Sequence, residues 1–319
     1  MKKDTKIYIA GHRGMVGSAV WRALEKKGYT NLIGKTSKEL DLKNQQSVFG
    51  FFKQEKPEVV IDAAARVGGI LANTDFPYQF LMENMQIQNN LIDTALTSGI
   101  EKFIFLGSSC IYPKFAPQPL KEEYLLTNSL EPTNEWYAIA KISGVKACQA
   151  IRKQFNKDFV SLMPTNLYGT HDNFDLQTSH VLPAMLRKFH EAKLNKNAPV
   201  KLWGSGTPMR EFLFVDDMAE AVVYALENTL PEYLYNVGSG KDITIKELAE
   251  TIQKVTGHQG EIIWDSEKPD GTPRKLLDVS KMTAMGWSYS IELEEGIEKT
   301  YAWFLDNIDR IKEVRMNKD

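Results

Sequence analysis

Along the first half of the chain, short runs of β-branched and aromatic residues alternate with longer segments whose apolar positions recur at helical spacing. The short runs predict strands at 6–10, 59–63, 102–106 and 159–163, each ending where Gly, Ser or Pro opens a loop. Helices are predicted between them at 16–27, 76–97 and 138–154. Strands and helices on this spacing make a parallel sheet covered on both faces, so the predicted class is α/β with a doubly wound parallel sheet. Ligands of such sheets bind beyond the carboxyl ends of the strands, which directs attention to the loops there.

The second half is less regular. A helical piece at 182–192 precedes KLWGSGTPM, which reads as strand and turn. The run 212–215 reads as a strand returning to the sheet, with Asp216 capping a helix over 218–227. After Gly238 and Gly240 come a helix at 245–256, a turn at 269–273 and a further helix near the C-terminus. The expected division is 1–168 with 211–240 for the sheet domain, and 169–210 with 241–319 for a smaller, discontinuous C-terminal lobe. No repeat or low-complexity segment interrupts this plan.

Composition narrows the function. The 319 residues are 43% hydrophobic and 25% charged, the balance of an ordinary globular protein. A net charge of -2 gives no support to a nucleic-acid footprint or an anionic membrane surface. MKKDTKIYIAGHRG lacks the longer apolar core and cleavage site of a signal peptide. No window approaches the ~18 consecutive apolar residues of a membrane span. Two cysteines, Cys110 and Cys148, are too few for a disulfide framework, and a reducing, cytoplasmic setting is expected.

Gly11, Gly14 and Gly17 stand directly after the first strand and open the first helix, with His12, Arg13, Met15 and Val16 between and beside them. The spacing differs from G-x-G-x-x-G but the physics is shared. Glycine permits the turn and close backbone approach, and the helix N-terminus presents free N–H groups to a pyrophosphate. This predicts a Rossmann-type dinucleotide site. An NAD site would carry an acid near the end of the second strand, whereas Gly34-Lys35-Thr36-Ser37-Lys38 precedes Glu39. Lys35, Lys38 and Arg13 can meet a 2′-phosphate instead, so NADP(H) is expected, the plain alternative being solvated surface lysines.

Tyr137 and Lys141 lie four residues apart on one helical face. A lysine cation together with an oxidised nicotinamide favours the phenolate and is expected to lower the tyrosine's pKa, making it an acid–base catalyst. Gly107-Ser108-Ser109-Cys110 follows the strand at 102–106, which puts the Ser108 hydroxyl where it can hydrogen-bond a reacting carbonyl. Any one of these signals occurs by chance. Glycine loop, serine loop and Y-x-x-x-K in this order point to reductase chemistry, and no metal site is expected.

At this point the chain resembles the extended short-chain dehydrogenase/reductases, and within them the 3,5-epimerase–4-reductase branch that acts on GDP-keto-sugars. The resemblance is carried by AGHRGMVGSA, AAARVGGI, FLGSSCIYPK, EPTNEWYAIAK, MPTNLYGTHDNF, SHVLPA, LWGSGTPMREFLFVDDMA and KPDGTPRKLLD, which span almost the whole chain. It implies epimerisation of GDP-4-keto-6-deoxy-D-mannose at carbons 3 and 5, then reduction of the 4-ketone by NADPH, in a homodimer whose helices at 76–97 and 138–154 pair between subunits. Catalytic positions are then Ser108, Cys110, Tyr137, Lys141 and His180, with Cys110 and His180 as the epimerisation pair. The cofactor set gains Ser37, Asp41, Leu42, Ala64, Leu106, Gly107, Ser108, Ser109, Lys141, Pro164, Thr165, Asn166, Leu167 and His180. Lys188, Trp203, Arg210 and Asp270 would hold the GDP-sugar. Lys188 and Ser37 depart from arginines the family carries, and Cys148 keeps a structural reading.

Two rival readings exist. A related 4,6-dehydratase usually has Thr-Asp-Glu where this chain has Ser108-Ser109-Cys110, and a 4-epimerase shares the core machinery. A non-catalytic NADP sensor would have little reason to hold Ser108, Tyr137 and Lys141 together.

Overall fold

A computed structural model of the chain describes residues 1–267 and 270–311. Its first half runs β1 (Ile7–Ala10), α1 (Met15–Lys26), β2 (Leu32–Ile33), α2 (Gln45–Glu55), β3 (Val59–Asp62), α3 (Ile70–Asp75), α4 (Pro77–Thr97), β4 (Lys102–Leu106), α5 (Glu135–Phe155) and β5 (Asp158–Pro164). The rest follows as β6 (Asn166–Tyr168), α6 (Val181–Leu194), β7 (Val200–Trp203), β8 (Met209–Phe214), α7 (Val215–Glu227), β9 (Leu234–Val237), β10 (Asp242–Thr244), α8 (Ile245–Thr256), β11 (Ile262–Asp265), β12 (Arg274–Lys275), α9 (Ser280–Met285) and α10 (Leu293–Asp306).

The main sheet has six strands in the order β2-β1-β3-β4-β5-β9, all parallel. Alternation along each strand builds two cores. Ile7, Ile9, Val59, Ile61, Ile104, Leu106, Val160 and Leu162 face α1 and α7. Tyr8, Val60, Phe103, Phe105, Phe159 and Met163 face α2, α4 and α5. With both faces covered, these strands contain no exposed polar positions, which explains why they read as unbroken apolar runs. The expected Rossmann-type layering is present.

The strand expected at 212–215 does not return to this sheet. It is β8, which pairs with β6, β10 and β12 in a second, four-stranded sheet, while β9 pairs with β5 and completes the first. An apolar run says that a strand is buried, not which sheet buries it. Asp216 is not a cap either. Phe214 occupies the N-cap of α7, and Asp216 sits in its first turn, paired with Arg22 at 3.2 Å. A carboxylate there suits the helix dipole without serving as a cap. The turn expected at 269–273 begins at Pro269, which lies outside the described residues.

The two sheets meet just after β5. Thr165 N–H donates to the Val237 carbonyl at 3.0 Å, and Thr165 Oγ1 and Asn166 Nδ2 donate to the Glu211 carbonyl at 3.2 and 2.8 Å. The buried Glu211 carboxylate accepts the Gly240 and Leu277 N–H groups at 2.7 and 2.9 Å, and burial raises its pKa to about 7. A third core, around Phe189, Leu202, Phe212, Leu248 and Phe304, packs α6, α8 and α10 against the second sheet. Among the described residues, no helix is long and apolar enough to cross a membrane.

Candidate active site

Gly11 turns the chain out of β1 with φ +76°, a region that favours glycine. A Cβ on Gly11 would lie 2.7 Å from the Ala63 carbonyl oxygen, and one on Gly17 only 2.1 Å from that of Gly11. The turn, the end of β3 and the start of α1 therefore close together only without side chains. Gly14 caps α1 and brings no side chain to its free N–H groups. An uncapped, positively polarised helix start at the carboxyl edge of the sheet fits a pyrophosphate. His12 packs its ring against Gly34 beyond β2, and its Nδ1 is buried without a hydrogen-bond partner. Burial and then Arg13 hold its pKa below the ordinary imidazole value.

Beyond β2, Lys35 is half-buried while Ser37, Lys38 and Arg13 are exposed. Glu39 turns back on its own loop, accepting Thr36 N–H and Oγ1–H at 2.8 and 2.7 Å. Asp41 likewise accepts Lys43 N–H at 3.0 Å, and the Leu42 carbonyl accepts from Asn90 at 2.8 Å. Ala64 N–H donates to Asp62 at 3.1 Å.

The second cluster forms where β4 meets α5. Gly107 lies so close to Met163 that a Cβ would fall 2.0 Å from its terminal methyl carbon. Ser108 caps a single 3₁₀ turn, Ser109–Ile111, its Oγ accepting Cys110 N–H at 3.4 Å. Tyr137 and Lys141 share α5 as expected. Lys141 is buried, donates Nζ–H to the Leu106 carbonyl at 2.8 Å, and stands 4.7 Å from the Phe105 ring centroid and 5.9 Å from that of Tyr137.

The Tyr137 pKa is raised, by burial first and then by the Cys110 and Asp62 charges. Lys141 donates to a carbonyl rather than to the phenol, so its cation does not dominate the phenolic oxygen. A protonated phenol at neutral pH is nonetheless the state a proton donor requires.

His180 is the N-cap residue of α6. Its loop is fixed by Gly69 N–H donating to the Thr178 carbonyl at 3.1 Å, so the segment after β3 positions it. The imidazole keeps an exposed face, yet the surrounding protein depresses its pKa, with Lys275 adding to the effect. Cys110 is 6% exposed; burial pushes its thiol up, opposed first by Lys275. Lys275 acts on both members of the pair, and its own pKa is lowered by burial. The sequence reading missed this lysine, because a lysine beside a turn ordinarily reads as solvated. Its place in β12, in register with Arg210 on β8, is visible only in the fold.

Trp203 ends β7 with 57% of its surface exposed. Asp270 accepts Ser205 N–H and Oγ–H at 2.9 and 2.7 Å, which holds its carboxyl below the usual range. Burial lowers the Arg210 pKa and Asp270 opposes that effect. Lys188, half-buried on α6, reaches the Lys201 carbonyl only at 3.5 Å. Cys148 is fully buried against the sheet, its thiol pushed up to about 12 by burial, in line with a packing role.

Comparison with known proteins supplies a family. Residues 7–238 match the NAD dependent epimerase/dehydratase family. GDP-L-fucose synthase 1 of Arabidopsis thaliana is 56% identical over 306 residues, covering 96% of this chain and 95% of the relative. The GDP-L-fucose synthase of Escherichia coli (strain K12) is 52% identical over 316 residues, covering 96% and 98%. A solved GDP-L-fucose synthetase from Naegleria fowleri bound to NADP superposes with a TM-score of 0.90 at 27% identity, covering 98% of both chains. The chain therefore belongs to the NAD dependent epimerase/dehydratase family, whose members use a nicotinamide cofactor.

Proposed function

We propose that the chain makes GDP-L-fucose, inverting GDP-4-keto-6-deoxy-D-mannose at carbons 3 and 5 and then reducing its 4-ketone with NADPH. The observation that carries the reading is Lys275 on β12, which lies near enough to act on both Cys110 of the 3₁₀ turn and His180 at the start of α6, and so brings two acid–base groups from separate elements to one site. A 4-ketone acidifies the protons on carbons 3 and 5. With its pKa raised, Cys110 holds a transferable proton; with its pKa lowered, His180 presents a lone pair. Such a pair can take a proton from one side of the sugar and return one to the other. Ser108 and Tyr137 would hold the 4-oxygen as charge develops there.

The glycine turn and α1 would hold the pyrophosphate of the cofactor, with Leu106–Ser109, Lys141, Pro164–Leu167 and His180 toward its nicotinamide. When bound, reduced nicotinamide supplies hydride to carbon 4. Tyr137 then gives its proton to the oxygen. NADP rather than NAD is supported by the self-engaged Glu39 and by Lys35 and Lys38 in the loop beyond β2, with Arg13 contributed by the glycine turn. NADPH consumption in the presence of the keto-sugar tests the reading, with NADH the poorer donor; no oxidation of either would overturn it.

Trp203, Arg210, Asp270 and Lys188 would bind the GDP end. Arg210→Ala is expected to raise KM for the GDP-sugar roughly ten- to a hundredfold, since a charged hydrogen bond is worth about 1.5–3 kcal/mol. Steady-state kinetics should show kcat little changed.

The same reading includes the division into 1–168 with 211–240 and 169–210 with 241–319, β8 lying astride the boundary. It also includes a cytoplasmic location, supported by two free, buried cysteines, and a homodimer, supported by exposed Trp136 and Ile139 on α5.

A further inference from the structure

Asp62 ends β3 with none of its surface exposed. Its Oδ1 accepts Ala64 N–H at 3.1 Å, and its Oδ2 has no hydrogen-bond partner. Burying an ionised carboxyl with a vacant oxygen is costly unless a charge nearby compensates. The sheet register supplies that charge. Asp62 pairs with Phe105 on β4, and Phe105 with Ser161 on β5, so the three side chains leave the same face of adjacent strands, about 4.8 Å apart. That face lies under α5, where Lys141 Nζ stands 4.7 Å from the Phe105 ring.

We propose that Asp62 is the counter-charge of Lys141, a positioning residue that keeps the buried ammonium protonated and in place over Phe105, and so sets the alkaline limit of reduction. The proposal rests on the reductase reading above.

Every group facing Asp62 is consistent with this pairing. Lys141 is the one cation acting on it among the described residues, and Asp62 is the first group offsetting the desolvation of Lys141. From β1 comes the Tyr8 phenol and from α5 come Tyr137 and Cys148, each made harder to ionise by Asp62. Cys110 faces Lys141 from the 3₁₀ turn. Further buried polar atoms without partners are Tyr8 Oη, Ser161 Oγ and, on α4, Gln88 Oε1. They are neutral and leave the ion pair as the local charge balance. Burial raises the Asp62 pKa to about 6 despite Lys141, so the carboxyl is ionised at neutral pH and above.

Removing that charge lets Lys141 lose its proton at lower pH, and it also eases ionisation of Tyr137. Both changes deplete the form that reduces a ketone. For Asp62→Asn, the alkaline limb of the kcat profile should move down by roughly one pH unit, the scale of a lost charge partner. Below about pH 6, where wild-type Asp62 is itself protonated, the two profiles should coincide. Asp62→Glu should restore the limb in part. An unmoved limb, or a loss equal at all pH values, would overturn the proposal and mark Asp62 as packing alone.

Stability gives a readout independent of turnover. A carboxyl with a raised folded-state pKa stabilises fully below its unfolded pKa, and that stability is lost as pH rises through the folded value. From pH 5 to pH 8, test conditions spanning about 6, the Tm of Asp62→Asn should therefore gain on that of wild type, on top of any constant loss from leaving Lys141 unpartnered. In a Lys141→Met background the gain should be larger, because the buried carboxylate then has no partner. Equal gains in both backgrounds would refute the pairing. If wild type failed to oxidise NADPH, the functional reading would fall, and this cycle would still decide the role of Asp62.

Discussion

Tyr137→Phe is expected to abolish NADPH oxidation while leaving hydrogen exchange at carbons 3 and 5 measurable. The substitution removes one oxygen from a half-buried ring that packs edge-on to Phe80 at 6.2 Å, so α5 and its neighbours should keep their places. What disappears is the phenolic proton, held by a group whose pKa burial raises and proposed to pass to the 4-oxygen. Loss of a general acid costs on the order of 10²–10⁴ in rate. Ser108 would still polarise the ketone and the epimerisation pair would still be intact. Stopped turnover with persisting exchange is the signature; loss of both at once would mean that Tyr137 serves the epimerisation as well.

Cys110→Ala should give the opposite separation. It removes a buried thiol from the 3₁₀ turn capped by Ser108, while the capping hydroxyl and Cys110's backbone N–H remain. Exchange of the hydrogens on carbons 3 and 5 should fall by on the order of 10²–10⁴, the range for a missing acid–base group. NADPH consumption should drop to whatever the uninverted ketone supports, because Tyr137 and Lys141 are untouched. Mass spectrometry of substrate recovered from deuterated buffer, in the absence of NADPH, reads this directly. Undiminished exchange would remove Cys110 from the pair.

The sheet strands with both faces buried were legible because burial leaves mostly apolar residues to read, Asp62 and Ser161 being exceptions. The two-residue β2, and β9 with its buried Asn236, carried too short or too mixed a pattern. β8 was legible as a strand and not as a member of its sheet, since Phe212–Phe214 would look the same in either. The glycine turn and the Tyr137–Lys141 face were read correctly because their geometry is local to one turn and one helix. Lys275 and Asp62 were not, because each matters through a partner on another element: β12 against β8, and β3 beneath α5. The partner of the Lys141 ammonium was hidden for the same reason, as the Leu106 carbonyl that accepts from it comes from β4.

One site is proposed both to invert and to reduce the same sugar. Enzyme, NADPH and GDP-4-keto-6-deoxy-D-mannose combined in deuterated water test it in a single measurement, the isotope pattern of the product. Oxidised NADPH and a reduced sugar carrying solvent deuterium at carbons 3 and 5 are the expected result. Reduction without deuterium at those carbons, or deuterium without reduction, would contradict it.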